Sequence, residues 1–71
     1  MKVATVKFKN YGRIYSFYTK LGLVEGRSYK IATRDGTYGT PVEFTGYVPS
    51  APAGIPLKEI IEAEEIDEEN T

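Results

Sequence analysis

Cysteine, histidine and tryptophan are all missing from this chain of 71 residues. Without cysteine there is no disulfide, no thiolate metal site and no thiol nucleophile. Without histidine the chain lacks the commonest general base, the usual imidazole metal ligand and the side chain that changes charge near neutral pH. Zinc sites and the familiar catalytic triads are excluded, and neither a metal nor a cofactor is expected. Long apolar runs are missing too. No stretch approaches a bilayer span or a signal-peptide core, so no membrane association is expected and the expected compartment is the cytoplasm. What is present, 41% hydrophobic and 27% charged residues, fits a folded chain rather than a disordered one. The length suffices for one small domain, which at this size buries only about 60% of its unfolded surface and gains from a partner.

The net charge of -1 conceals a polarity along the chain. Residues 1–40 carry eight basic and two acidic side chains, a net of +6, whereas residues 41–71 carry Lys58 against eight acids, a net of -7. A basic half that attracts anions and an acidic end that solvates the protein or competes for that half are both implied.

Alternation of apolar and polar residues over 2–9 marks a strand with Ala4, Val6 and Phe8 on one face. Asn10, Tyr11 and Gly12 read as a turn, and the aromatic and β-branched run 13–19 completes a hairpin. Both faces of that second strand are bulky, Tyr15 with Phe17 and Ile14 with Tyr18, so one is expected in the core and the other on a second surface. A third strand over 27–33 places Tyr29 and Ile31 on a common face. Arg34, Asp35 and Gly36 form the next turn, followed by a strand over about 40–48 in which Gly46 marks a bend or bulge. Residues 49–56, with three prolines, read as an extended loop. One short helical turn at 57–59 and a closing strand over 60–66 are expected, with residues 67–71 a frayed acidic tail. The fold class is thus all-β: a small SH3-like antiparallel barrel of about five strands over residues 1–66 with a short helical turn before the last strand. The alternative is a curled four-stranded sheet with a C-terminal helix.

No phosphate-loop signature occurs, and residues 36–39 are too short for a dinucleotide fingerprint. The clustered acids resemble a solvated segment rather than an acid and base pair held in a cleft, so an enzyme is not expected. The constellation that remains is tyrosine interleaved with basic residues. Tyr11, Tyr15, Tyr18 and Tyr38 offer rings that stack on bases, Arg13, Arg27 and Arg34 offer paired charge-assisted hydrogen bonds to phosphates, and Thr37 and Thr40 offer hydroxyls. Against a ligand role stands the fact that tyrosine is a good strand residue and exposed basic side chains solubilise. Long nucleic acid is disfavoured, because binding a polyanion calls for a basic domain with pI above about 9 and the pI here is 5.3.

The spacing of Tyr15-Ser16-Phe17-Tyr18, Leu23-Val24-Glu25-Gly26, residues 42–48, the proline-rich loop and Leu57-Lys58-Glu59-Ile60-Ile61 resembles small SH3-like barrel proteins carried by bacteriophages of Bacillus and similar hosts. Arg27 departs from that pattern, in which an acid often follows the glycine. Some short phage proteins of this look are similar to viral sponges of the anti-CBASS kind. That resemblance implies sequestration of a cyclic nucleotide immune signal in an oligomer within the host cytoplasm.

The leading expectation is therefore a noncatalytic protein that captures a small anionic nucleotide in a pocket shared between subunits of a homo-oligomer. The competing expectation is an interaction module that inhibits a host enzyme, since tyrosine and arginine also dominate protein interfaces. A single-stranded nucleic-acid binder is the second alternative.

Overall fold

The computed structural model describes residues 1–10 and 12–66. Every regular element among them is a strand: β1 (Lys2–Phe8), β2 (Ile14–Thr19), β3 (Ser28–Thr33), β4 (Gly36–Thr37), β5 (Val42–Val48), β6 (Glu59–Ile60) and β7 (Glu62–Ile66). The alternating pattern of residues 2–9 folds as β1, which has a partner strand on each edge. β1 pairs antiparallel with β2, Lys2 opposite Thr19 through Lys7 opposite Ile14, and with β5 on its other edge. The strand order is β4-β3-β5-β1-β2-β6, with β7 added to β3.

The all-β class is what the sequence implies, but the expected SH3-like antiparallel barrel is not found. The sheet is mixed, because β6 runs parallel to β2 while every other pair is antiparallel, and it is not closed. The expected helical turn at 57–59 is also corrected, and the alternative C-terminal helix fails with it: no helix occurs among the described residues. One helical turn is a poor competitor, since it fixes several dihedrals for a single hydrogen bond. Here the Lys58 carbonyl instead accepts the Tyr18 N–H at 2.9 Å, and Ile60 is fully buried behind it. The acidic tail expected at 67–71 lies outside the described residues.

Ala4, Val6, Phe8, Phe17, Tyr29, Ile31, Val42, Phe44 and Ile60 form the core with Leu23 from the β2–β3 connector. The hairpin turn is closed by Gly12 N–H to the Phe8 carbonyl at 2.7 Å and Phe8 N–H to the Arg13 carbonyl at 2.8 Å. On β5 the bend expected at Gly46 is a bulge, for the register runs from Thr5 opposite Gly46 to Val6 opposite Phe44 and leaves Thr45 unpaired. Gly46 holds φ +133°, a conformation that costs any residue with a Cβ. The Thr45 hydroxyl donates to the Thr5 carbonyl at 3.0 Å and the Thr5 hydroxyl to that of Gly46 at 2.9 Å, which pins the bulge. An extra residue re-aims the side chains that follow. Tyr47 accordingly stacks edge-on against Phe44, ring centroids 4.8 Å apart, and its hydroxyl accepts from Leu23 N–H and donates to the Leu21 carbonyl, each at 2.9 Å. The Tyr29 hydroxyl accepts from Val24 N–H at 2.9 Å. Two of the six tyrosines thus fasten the connector between β2 and β3 to the sheet.

Candidate functional site

β2 has one face for the core and one edge for something else. Phe17 and Thr19 are buried, whereas Ile14 is 61% exposed and Tyr15 41% exposed. Along the edge away from β1, only Tyr18 and Thr19 pair with β6. Because the Tyr18 N–H turns outward to the Lys58 carbonyl, the two-residue alternation of a strand turns the amides of Ser16 and Ile14 the same way. Among the described residues neither of these two amides has a backbone partner on that side.

A groove of about 330 Å³ runs along this open edge. β2 supplies one wall through Ile14, Tyr15 and Phe17, and Tyr38, just after β4, joins it. The loop that returns to β6 supplies the other wall through Pro52, Ile55, Pro56 and Lys58. Three T-shaped ring contacts hold the aromatic side: Phe8 with Tyr15 at 5.3 Å, Phe8 with Tyr38 at 5.5 Å and Phe17 with Tyr38 at 5.9 Å between centroids. Edge-to-face packing of this kind favours one ring arrangement beyond simple burial. Ile55, 59% exposed, caps the far wall. Lys58 Nζ meets Asp35 Oδ2 at 2.7 Å, tying the loop to the β3–β4 turn. The hydrogen bond from Lys58 and its positive charge hold the Asp35 carboxyl below its ordinary value of 3.8. The same hydrogen bond and the charge of Asp35, with a smaller contribution from Tyr38, raise the Lys58 ammonium above 10.5.

The residues expected to bind ligand are brought together only in part. Tyr15 and Tyr38 share the groove. Tyr18 is half-buried on the opposite side of β2 from Tyr15. Arg13 is exposed just before β2, and Arg34 is exposed in the β3–β4 turn. Arg27 pairs with Glu65 across β3 and β7. Thr40 is half-buried between β4 and β5, and Tyr11 lies outside the described residues. None of the three arginines lines this groove, nor the larger depression of about 570 Å³ beside β3 and β7. That second depression takes Thr37 from the expected set and sets Lys30 against Glu64, its cross-strand partner. No group of three or more acidic side chains placed to hold a metal ion occurs among the described residues. Nor, among them, is any helix long and apolar enough to cross a membrane.

Sequence reasoning missed the proline-loop wall. Its signal was Ile55, a large apolar residue set between prolines where no strand could bury it, and Lys58, the one cation of the acidic half. No protein-family model, curated protein or solved structure matches the chain.

Proposed function

We propose that this protein is a binding module that takes an extended segment of another protein in the groove along β2. One observation carries the reading: an apolar groove opens on two strand amides that have no backbone partner among the described residues, with Ile14, Tyr15 and Ile55 exposed around it. Unpaired strand edges are templates for pairing with another chain. The lining suits that occupant, because tyrosine, isoleucine and proline present large rigid surface at little cost in side-chain freedom. At about 330 Å³ the groove sits at the lower end of the roughly 300–1,000 Å³ of small-molecule sites.

A small anionic nucleotide is the second reading. The observation in its favour is that two rings and the Lys58 ammonium meet in one place. It is the weaker of the two, because phosphate recognition by forked guanidinium groups would need arginines at the groove, while Arg27 is engaged by Glu65 and Arg13 and Arg34 stand elsewhere.

A photo-crosslinking residue in place of Tyr15 tests the choice when the protein is expressed in its native cell. Attachment to one reproducible peptide segment, lost on Ile55→Asp, is the expected result. Release of a nucleotide on denaturation, or a rise in melting temperature with a cyclic dinucleotide that disappears on Lys58→Met, would replace the protein segment by the nucleotide.

A further inference from the structure

Resting on the reading of the β2 groove as a protein-binding site, we infer that the bound segment adds to the sheet as a strand and places a carboxylate beside Arg13 and Lys7. Two features of the edge select this occupant. The first is backbone geometry. The outward N–H and C=O groups of Ile14 and Ser16 are spaced two residues apart and continue the line begun by the Tyr18 amide, which already bonds to Lys58. Only another extended backbone matches that repeat, with its own amides in alternate positions. A partner strand there occupies the path that β6 follows for two residues beside Tyr18 and Thr19.

The second feature is charge. At the open end of β2, Arg13 precedes Ile14 and Lys7 lies directly across from Ile14 on β1. Both are exposed, and among the described residues no carboxylate lines the groove. The acid in register there is Glu43, beyond Lys7 on β5. At the other end Lys58 is held by Asp35, and Glu59 opposite Tyr18 adds a further acid. The edge therefore has a cationic end and an acidic end. A strand whose apolar side chains rest on Tyr15, Tyr38 and Ile55, with Asp or Glu at the Arg13 end, satisfies both.

The experiment uses the isotopically labelled full chain and two short capped peptides, one alternating valine with glutamate and one alternating valine with lysine. The glutamate peptide is expected to shift the Ile14 and Ser16 amide resonances, slow their exchange with solvent, and bind about tenfold more tightly than the lysine peptide at low salt. A tenfold ratio corresponds to about 1.4 kcal/mol, within reach of one or two partly exposed charge contacts. Arg13→Glu, at an exposed position, should abolish or reverse that preference while the melting temperature holds. Methylating alternate amides of the glutamate peptide should weaken it about tenfold, because a strand loses its pairing hydrogen bonds and a peptide held by side chains alone does not. Equal binding of both peptides at these amides overturns the acidic strand and leaves the groove standing. Protection of Ile14 and Ser16 that grows with protein concentration in the absence of peptide identifies a second copy as the occupant and also overturns it. No response at residues 14–17 to any peptide sinks both the strand and the protein-binding reading.

Discussion

Residues 59–66 meet the rest of the sheet twice, and the two contacts differ. On β3 the pairing covers five residues, Ser28 opposite Ile66 through Ala32 opposite Glu62, reinforced by Arg27 with Glu65 and by Lys30 facing Glu64. On β2 it covers two, Tyr18 and Thr19. The well-paired flank is studded with Glu62, Glu64 and Glu65, the kind of charge that discourages a further strand. The poorly paired flank ends in Ile14 and Tyr15, both exposed. Such charge guards an edge against further pairing, and the contrast fits the binding proposed at the β2 edge.

Removing Ile60 should break the contrast most strongly. This fully buried side chain anchors β6 to the core, and its carbonyl accepts from the buried Thr19 hydroxyl at 3.2 Å. Ile60→Ala should cost about 2–5 kcal/mol, a large share of the roughly 4–11 kcal/mol expected of a chain this size. Denaturant unfolding measures the loss, and amide exchange at Tyr18 should accelerate more than at Lys30, whose amide faces β7. Equal acceleration at both would mean that the two contacts open as one unit.

Gly46→Ala supplies the control, since it strains β5 at a distance from either contact. A Cβ there would sit 3.3 Å from Glu25 Oε1 in a backbone of φ +133°. A loss of about 1–3 kcal/mol is expected, with exchange at Tyr18 and Lys30 rising together. A neutral result would show that the bulge relaxes without cost.

The parts legible in the sequence were those set by local pattern. The alternation in residues 2–9 and the Asn10 to Gly12 turn specify the first hairpin, and a glycine inside a strand signalled the β5 bulge, because both follow from backbone geometry within a few residues. The parity of β3 likewise put Tyr29 and Ile31 on one face, which the structure buries. The pairing of Glu59 and Ile60 with β2 joins residues 41 apart, and local propensity carries no trace of it. The helical turn expected there yielded to that distant partner. The tyrosines divide in a way that local pattern does not show. Tyr15 and Tyr38 share the groove, while Tyr29 and Tyr47, outside the expected ligand set, serve the β2–β3 connector through their hydroxyls. Net charge in a stretch of sequence also says nothing of direction, and the three arginines diverge.

Arg27 and Glu65 sharpen the comparison on its stronger side. Both side chains are largely exposed, where ion pairs contribute about 0.2–1 kcal/mol and fade with salt. Glu65→Gln should therefore destabilise by less than about 1 kcal/mol at low salt, and by less still at high salt, while exchange in β3 stays slow because five residue pairs hold β7 without it. Fast exchange at Lys30 in that variant would show the charge, rather than the backbone ladder, to be the fastening.

The smallest effect is expected at Lys58 and Asp35, on the weaker side. Asp35 titrates below 3.8, so its contribution is full above its unfolded value and disappears as pH falls through the lowered one. Lys58 titrates above 10.5, so its contribution is full below that value and is lost as pH rises through the raised one. Between these limits the clasp should be independent of pH. Lys58→Met should raise the Asp35 midpoint, followed by carboxyl carbon resonance, toward the ordinary 3.8. Protection of the Tyr18 amide should survive that change, because the Lys58 backbone carbonyl, not its ammonium, accepts that hydrogen bond. If the amide instead loses its protection, the side-chain clasp holds β6 in place, and the openness of the β2 edge becomes a function of a surface ion pair rather than of strand length.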